Sequence, residues 1–266
     1  SQSFGEMIPE LIRRDRYAEV LDIFSALKRY THWTTLAGDI LERLSQGSVP
    51  LLLKEKFLAH KKEIRMAIVP IFIALEGAAI PNLLAILKTS EDQWVRKNAC
   101  EALIQIGPAA TAHLLKELEE QHTSIETTGE ILRVLGEIKS QGWKEPLLKI
   151  LKRYISHTHP KLREQAIHTL CLIGGKEGEE VFLSSLRDPH IEVRKKAVWC
   201  LGMIRSPRGL EKMMQILKQI NTAPAPQMDQ IETQIYHAFG TLGNMEVAGE
   251  TLEEIMLGVL EKRGIK

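Results

Sequence analysis

The stretch Asp188 to Ile204, DPHIEVRKKAVWCLGMI, decides the fold. Counted from Arg194, it places Ala197 at +3, Leu201 at +7, Ile204 at +10 and Arg205 at +11. The same offsets recur from Arg163 as Ala166, Leu170, Ile173 and Gly174. From Arg96 they give Ala99, Leu103, Ile106 and Gly107, and from Arg65 they give Ile68, Phe72, Leu75 and the pair Glu76-Gly77. Glu232 begins another copy, with Ile235, Phe239, Leu242 and Gly243. Weaker copies begin at Thr34 and at Ile125, the latter keeping a glycine, Gly136, at its offset. The starts 34, 65, 96, 125, 163, 194 and 232 make a repeat of solenoid length along most of the chain.

At ~100° per residue these offsets fall in one helical stripe about 100° wide. The small residue at +3 lets two helices approach closely. The arginine sits at the edge of the stripe, where its stem packs and its guanidinium reaches a neighbour. A glycine just past the last apolar residue is a helix stop, because it adopts the left-handed conformation cheaply. A second apolar helical pattern follows most copies, as in Ile80 to Leu87, Ala112 to Leu118, Pro146 to Leu151, Val181 to Leu186 and Met213 to Leu217. Each repeat then reads as a helical hairpin that buries its surplus apolar face only by stacking on its neighbours. No window alternates as a strand does, so no strands are expected.

Asp188 to Ile204 and His159 to Gly175 (HPKLREQAIHTLCLIGG) resemble HEAT-like repeats, most closely the short class of about 30 residues first associated with phycobilisome lyases. The resemblance covers roughly residues 31–262. It implies an all-α fold, a right-handed α-α superhelix of about seven hairpins whose second helices line a concave face. Residues 1–30 are expected to be an N-terminal helix or truncated capping repeat, and 31–266 one continuous solenoid. The sequence departs from the family at two places. The residue before the proline is Asp188 in one copy but His159 in the other, and the 125 copy lacks the arginine. The Asp–Arg ladder between repeats is therefore expected to be incomplete.

Composition supports a packed globular chain: 44% hydrophobic and 26% charged residues exclude intrinsic disorder. A formal net charge of +1 gives no global attraction to nucleic acid or anionic membrane. Cys100, Cys171 and Cys200 are three and widely spaced, against a disulfide framework and for a reducing cytoplasm. No uninterrupted apolar run approaches the length of a membrane span, and Ser1 to Phe4 open no signal peptide. With no initiator methionine, the chain reads as a piece of a longer bacterial protein.

No nucleotide-binding or nucleophile-elbow motif occurs, so no enzyme activity, cofactor or metal is expected. His157 and His159 read as solvated loop residues, since a metal site needs more ligands in fixed geometry. The absence of a His-Glu dipeptide argues against the HEAT-like hydroxylase class. Trp33, Trp94 and Trp199 read as plugs between repeats, whereas Trp143 is a candidate contact.

Charge is uneven. Residues 139–163 carry seven bases (Lys139, Lys144, Lys149, Lys152, Arg153, Lys161 and Arg163) against Glu145, whereas 117–137 carry six acids against one arginine. The leading expectation is a module that binds another protein on its second helices, through Trp143, Lys144, Lys149, Lys152 and Arg153 in the basic segment, His113 and Lys116 before it, and Gln215 and Lys218 after it. The alternatives are nucleic-acid binding through the same basic segment, and a bilin lyase or chaperone-like role implied by the repeat's namesake.

Overall fold

A computed structural model describes residues 4–30, 35–59, 62–120, 123–138, 141–222, 228–242, 246–247, 250–251, 254 and 257. The chain forms two compact units, Ser1–Trp143 and Lys144–Lys266. Thr34, Trp33, Lys139 and Gly243, and the proline-rich 223–227 of the second long insertion, lie outside the described residues.

Among the described residues the first unit holds α1 (Phe4–Arg13), α2 (Tyr17–Tyr30), α3 (Thr35–Gln46), α4 (Val49–Ala59), α5 (Lys62–Leu75), α6 (Ile80–Thr89), α7 (Gln93–Ile106), α8 (Thr111–Glu120) and α9 (Ile125–Ile138). One layer runs α2, α5, α7, α9, each packed on the next, while α1 packs on α4 and α4 on α6. The helix packed on α5 in that layer is α2, one element earlier than the copy beginning at Thr34 places it; α3 packs instead on α1, α2 and α4. The cause is legible in α2, where Tyr17, Val20, Phe24 and Leu27 are all buried at the repeat's own offsets. In α5 and α7 the arginine stands three residues after the first helical residue; in α9 that place is Thr128. The copy counted from Ile125 is therefore one turn out of register, and Gly136 is a buried helical residue rather than a stop.

Lys62–Thr89 is apolar and long enough to cross a membrane by length and composition alone. It is two helices, α5 and α6, broken by a 3-10 turn over Glu76–Ala79, and Glu76 has φ 50°. Ile68, Ile71, Phe72, Ile80 and Leu83 are fully buried, and the Phe72 ring meets Phe57 edge-on at 5.6 Å.

The second unit holds α10 (Lys144–Ile155), α11 (Pro160–Gly174), α12 (Glu179–Ser185), α13 (Ile191–Met203), α14 (Pro207–Thr222) and α15 (Met228–Leu242). Its first-helix layer is α11, α13, α15; α10 packs on α11, and α12 packs on α13 and α14. Ala166 and Ala197 are completely buried, as Ala99 is in the first unit, which is the close approach that the +3 position supplies. A two-residue antiparallel ladder, β1 (Glu246–Val247) with β2 (Glu250–Thr251), departs from the expectation of no strands; Glu246 pairs with Thr251 and Val247 with Glu250. Four residues are too few to show the alternation by which a strand is recognised in sequence.

In the copies from Arg65, Arg96 and Arg194 the helix stop falls where the repeat assigns it. Gly107 has φ 75°, and Arg205, in the glycine position, has φ 51°. In α11 the left-handed residue is Gly175, φ 50°, and not Gly174, which closes the helix at φ −100°.

Candidate functional site

The repeat arginines organise the loops that present the second helices. Arg163 binds Asp188 through two charge-assisted hydrogen bonds, Nε to Oδ2 at 2.7 Å and Nη2 to Oδ1 at 2.8 Å. Its Nη1 donates to the carbonyls of His157 and Thr158 in its own preceding loop, both at 2.8 Å. Arg194 repeats that second device, donating to the carbonyls of Asp188 at 2.7 Å and Pro189 at 3.0 Å. Asp188 Oδ1 also accepts the His190 N–H at 2.9 Å. Burial works against the Asp188 carboxylate, but the Arg163 and His190 hydrogen bonds hold its pKa below the ordinary value; the same pair raises that of Arg163. In the first unit, Arg96 binds Glu130 of α9 at 3.0 and 2.7 Å and reaches the Thr127 hydroxyl at 3.5 Å. Arg65 is partly buried on α5.

The histidines are structural rather than solvated. His157 accepts the His159 N–H on Nδ1 at 3.0 Å and stacks on Tyr154, and both histidines are half-buried. Among the described residues no group of three or more His, Cys, Asp or Glu could hold a metal ion. Cys171 and Cys200 face each other's helix, with Cys171 Sγ 3.9 Å from the Cys200 carbonyl and Cys200 Sγ 3.8 Å from that of Ile167. Burial pushes the Cys200 thiol up, and the Cys100 thiol up to about 12, so both are poor nucleophiles.

Trp94 corrects its expected role. It is 63% exposed at the start of α7, with Lys97 Nζ 5.2 Å from its ring centroid. It lies one residue before Val95, the first residue of the stripe, and faces away from the core. Trp199 is half-buried, with His168 packed edge-on at 5.1 Å. Trp143 is 37% exposed, at the end of the 3-10 turn Gln141–Trp143 that closes the first unit.

The expected contact residues fall into three groups. His113 and Lys116 are exposed on α8, with Lys116 within 3.7 Å of Glu120; nearby, Lys88 is paired with Glu117 at 2.5 Å. On α10, the buried face is Leu147, Ile150, Leu151 and Tyr154, so the helical period turns Lys149, Lys152 and Arg153 outward. None of these three joins an ion pair among the described residues, whereas Lys144 is held by Glu177 at 2.9 Å. Gln215 and Lys218 lie exposed on α14.

Gln215 belongs to a groove that sequence reading missed. It is an open cleft of about 600 Å³ between α12 and α14, with Arg194 of α13 and Ile231 of α15. Leu183, Leu186, Ile216 and Ile231 supply its apolar lining, Ser184, Gln215 and Gln219 its neutral polar groups, and Arg187, Arg208 and Lys212 a basic border. The α12 end is fixed by the buried Ser206 hydroxyl, which donates to Glu179 at 2.5 Å and accepts the Gly209 N–H at 2.8 Å.

Comparison with known proteins agrees with this architecture. The family model of HEAT repeats matches residues 80–153 and 145–223, more than half of the chain. The chain belongs to the HEAT-repeat family, and its fold is all-α, of the solenoid class. No curated protein matches it. Similar solved structures include two engineered proteins from the Northeast Structural Genomics Consortium. One is 19% identical, with TM-score 0.41, covering 84% of this chain and 98% of that one. The other is 15% identical, with TM-score 0.40, covering 98% and 81%. The complex of CpcE and CpcF of phycocyanin lyase from Nostoc sp. PCC7120 is 19% identical, with TM-score 0.42, covering 73% and 76%.

Proposed function

We propose that the protein is a non-enzymatic interaction module of the cytoplasm that holds an acidic protein partner on the second helices of its Lys144–Lys266 unit. The observation that carries this reading is the outward face of α10, where Lys149, Lys152 and Arg153 stand within one turn of each other with no carboxylate partner among the described residues. Unneutralised surface charge steers association and selects a partner of opposite sign. Membership in the HEAT-repeat family supports a binding role, because such repeats present extended surfaces built from repeated helices. Three buried free thiols fit a reducing compartment.

The test pans the full chain against a display library of random peptides. The selected peptides are then titrated by fluorescence anisotropy into the wild type and the Lys149→Glu, Lys152→Glu double variant. Selection of peptides rich in Asp and Glu, with at least about tenfold weaker binding to the double variant, is the expected result. Failure to select any peptide family overturns the reading. A single-stranded DNA gel shift that falls steeply with salt would assign the basic face to nucleic acid instead.

A further inference from the structure

We infer that the groove between α12 and α14 is an anchoring site for an extended acidic segment of a partner protein, with Arg187 and Arg194 receiving its carboxylates. This rests on the reading of the chain as a protein-binding module and names where, and for what chemistry, that module is built.

Four basic side chains line the groove (Arg187, Arg194, Arg208 and Lys212) against two acids, Glu180 and Glu211. Arg208 is already committed to Glu180 and, at 3.4 Å, to Glu179. Lys212 donates to the Gln215 side-chain carbonyl at 3.0 Å, which leaves its charge uncompensated. Arg194 is half-buried, and it donates to the loop carbonyls of Asp188 and Pro189. Those are dipoles, and the carboxylates nearby in sequence are taken, Asp188 by Arg163 and Glu192 by Lys195. Arg187 is exposed just past the end of α12 and joins no ion pair among the described residues. Two guanidiniums therefore border one cleft without an ion-pair partner among the described residues, and even with Glu211 in the lining the uncommitted charge, with that of Lys212, stays basic; a guanidinium fork matches a carboxylate in two parallel hydrogen bonds.

The rest of the lining favours a polypeptide over a nucleic acid. Among the described residues no aromatic side chain lines the groove to stack on a base. Glu180 and Glu211 would repel a continuous row of phosphates but not a segment with spaced acids. Leu183, Ile216 and Ile231 give apolar side chains a place to bury. Ser184, Gln215 and Gln219 offer hydrogen bonds to a peptide backbone, which has no other partner when extended. The volume of about 600 Å³ is within the range of specific ligand clefts.

The probe is a fluorescein-labelled peptide of alternating Glu and Leu, titrated by anisotropy into the full chain at low salt. Its Gln-and-Leu counterpart and an oligothymidine of similar length serve as competitors. The Arg187→Glu variant is expected to bind at least about tenfold more weakly, and Arg187→Gln to lie between it and the wild type. The charge-matched control Lys176→Glu, on the exposed turn before α12, is expected to keep most of the affinity for this probe. Arg187 is exposed and outside the core, so its variants keep the wild-type far-ultraviolet circular dichroism. Equal binding by Arg187→Glu, no binding of the probe to the wild type, or equal competition by the Gln-and-Leu peptide would each overturn the assignment. Stronger competition by the oligothymidine would overturn it in favour of nucleic acid. If library peptides still depend on Lys149 and Lys152 while Arg187→Glu changes nothing, the binding module stands and this groove is not its anchor.

Discussion

The Arg96 rung of the first unit and the Arg163 rung of the second use the same residue at the same offset, yet they fasten different things. Arg96 reaches Glu130 in the body of α9, one helix clamped to another. Arg163 reaches Asp188 in the loop before α13, while also holding the two carbonyls of its own loop. Asp188 then passes the connection onward, since its carbonyl is one of the two that Arg194 holds. The loop before α9 contains no aspartate. In its place the Thr127 hydroxyl donates to the Leu87 carbonyl at 3.1 Å and receives Arg96 at long range. Where the repeat keeps its arginine, the carboxylate it meets sets whether helix is tied to helix or loop to loop. Only the second arrangement fixes the turn that leads out of α12 and into the groove.

The difference should appear first in stability. In the Arg163–Asp188 pair the side chains are 12% and 10% exposed, so Asp188→Ala strands a largely buried guanidinium and should cost about 3 kcal/mol in urea unfolding. Glu130 is 27% exposed, and Glu130→Ala should cost about 1.5 kcal/mol because water replaces part of what is lost. Equal losses would erase the distinction between the two rungs. A smaller contrast lies in the helix stops. Arg205 adopts φ 51° where Gly107 adopts φ 75°, and a side chain there is strained. Arg205→Gly should raise stability by about 0.5–1 kcal/mol, and Gly107→Ala should lower it by about 1 kcal/mol or more. The smallest effect is on acid unfolding. The Asp188 pKa is depressed in the folded chain, so its contribution is complete above the ordinary value of 3.8 and is lost as pH falls through the lowered one. The stability gap between wild type and Asp188→Asn should therefore be widest near neutrality and close below pH about 4, as followed by urea midpoints across that range.

Much of the fold was legible because a stacked repeat advertises itself by period. The buried alanines, the arginine at the stripe edge and the stop at Arg205 all stand where the offsets put them. The copies that went astray were those whose key residues had changed type. Tyr17 and Val20 stand in α2 where an arginine and an alanine were sought, and Thr128 stands in α9. Trp94 was misread because its place just before the stripe says where the helix starts, while the angle it takes at that start decides its exposure. The basic face of α10 could be found from charge and spacing alone. The groove could not. Arg187 and Arg194 are well separated in sequence from Ile216 of α14 and become its neighbours only through the packing of α12, α13 and α14.

The loop at Asp188 is the joint through which Arg163 and Arg194 couple adjacent repeats. Hydrogen–deuterium exchange on the full chain, wild type against Asp188→Ala, measures that directly. The account predicts faster exchange together at 157–163, where Arg163 loses its anchor, and at 188–194, with the first turns of α11 and α13 opening in step. Faster exchange confined to residues 188–190, with the start of α11 unchanged, would contradict it.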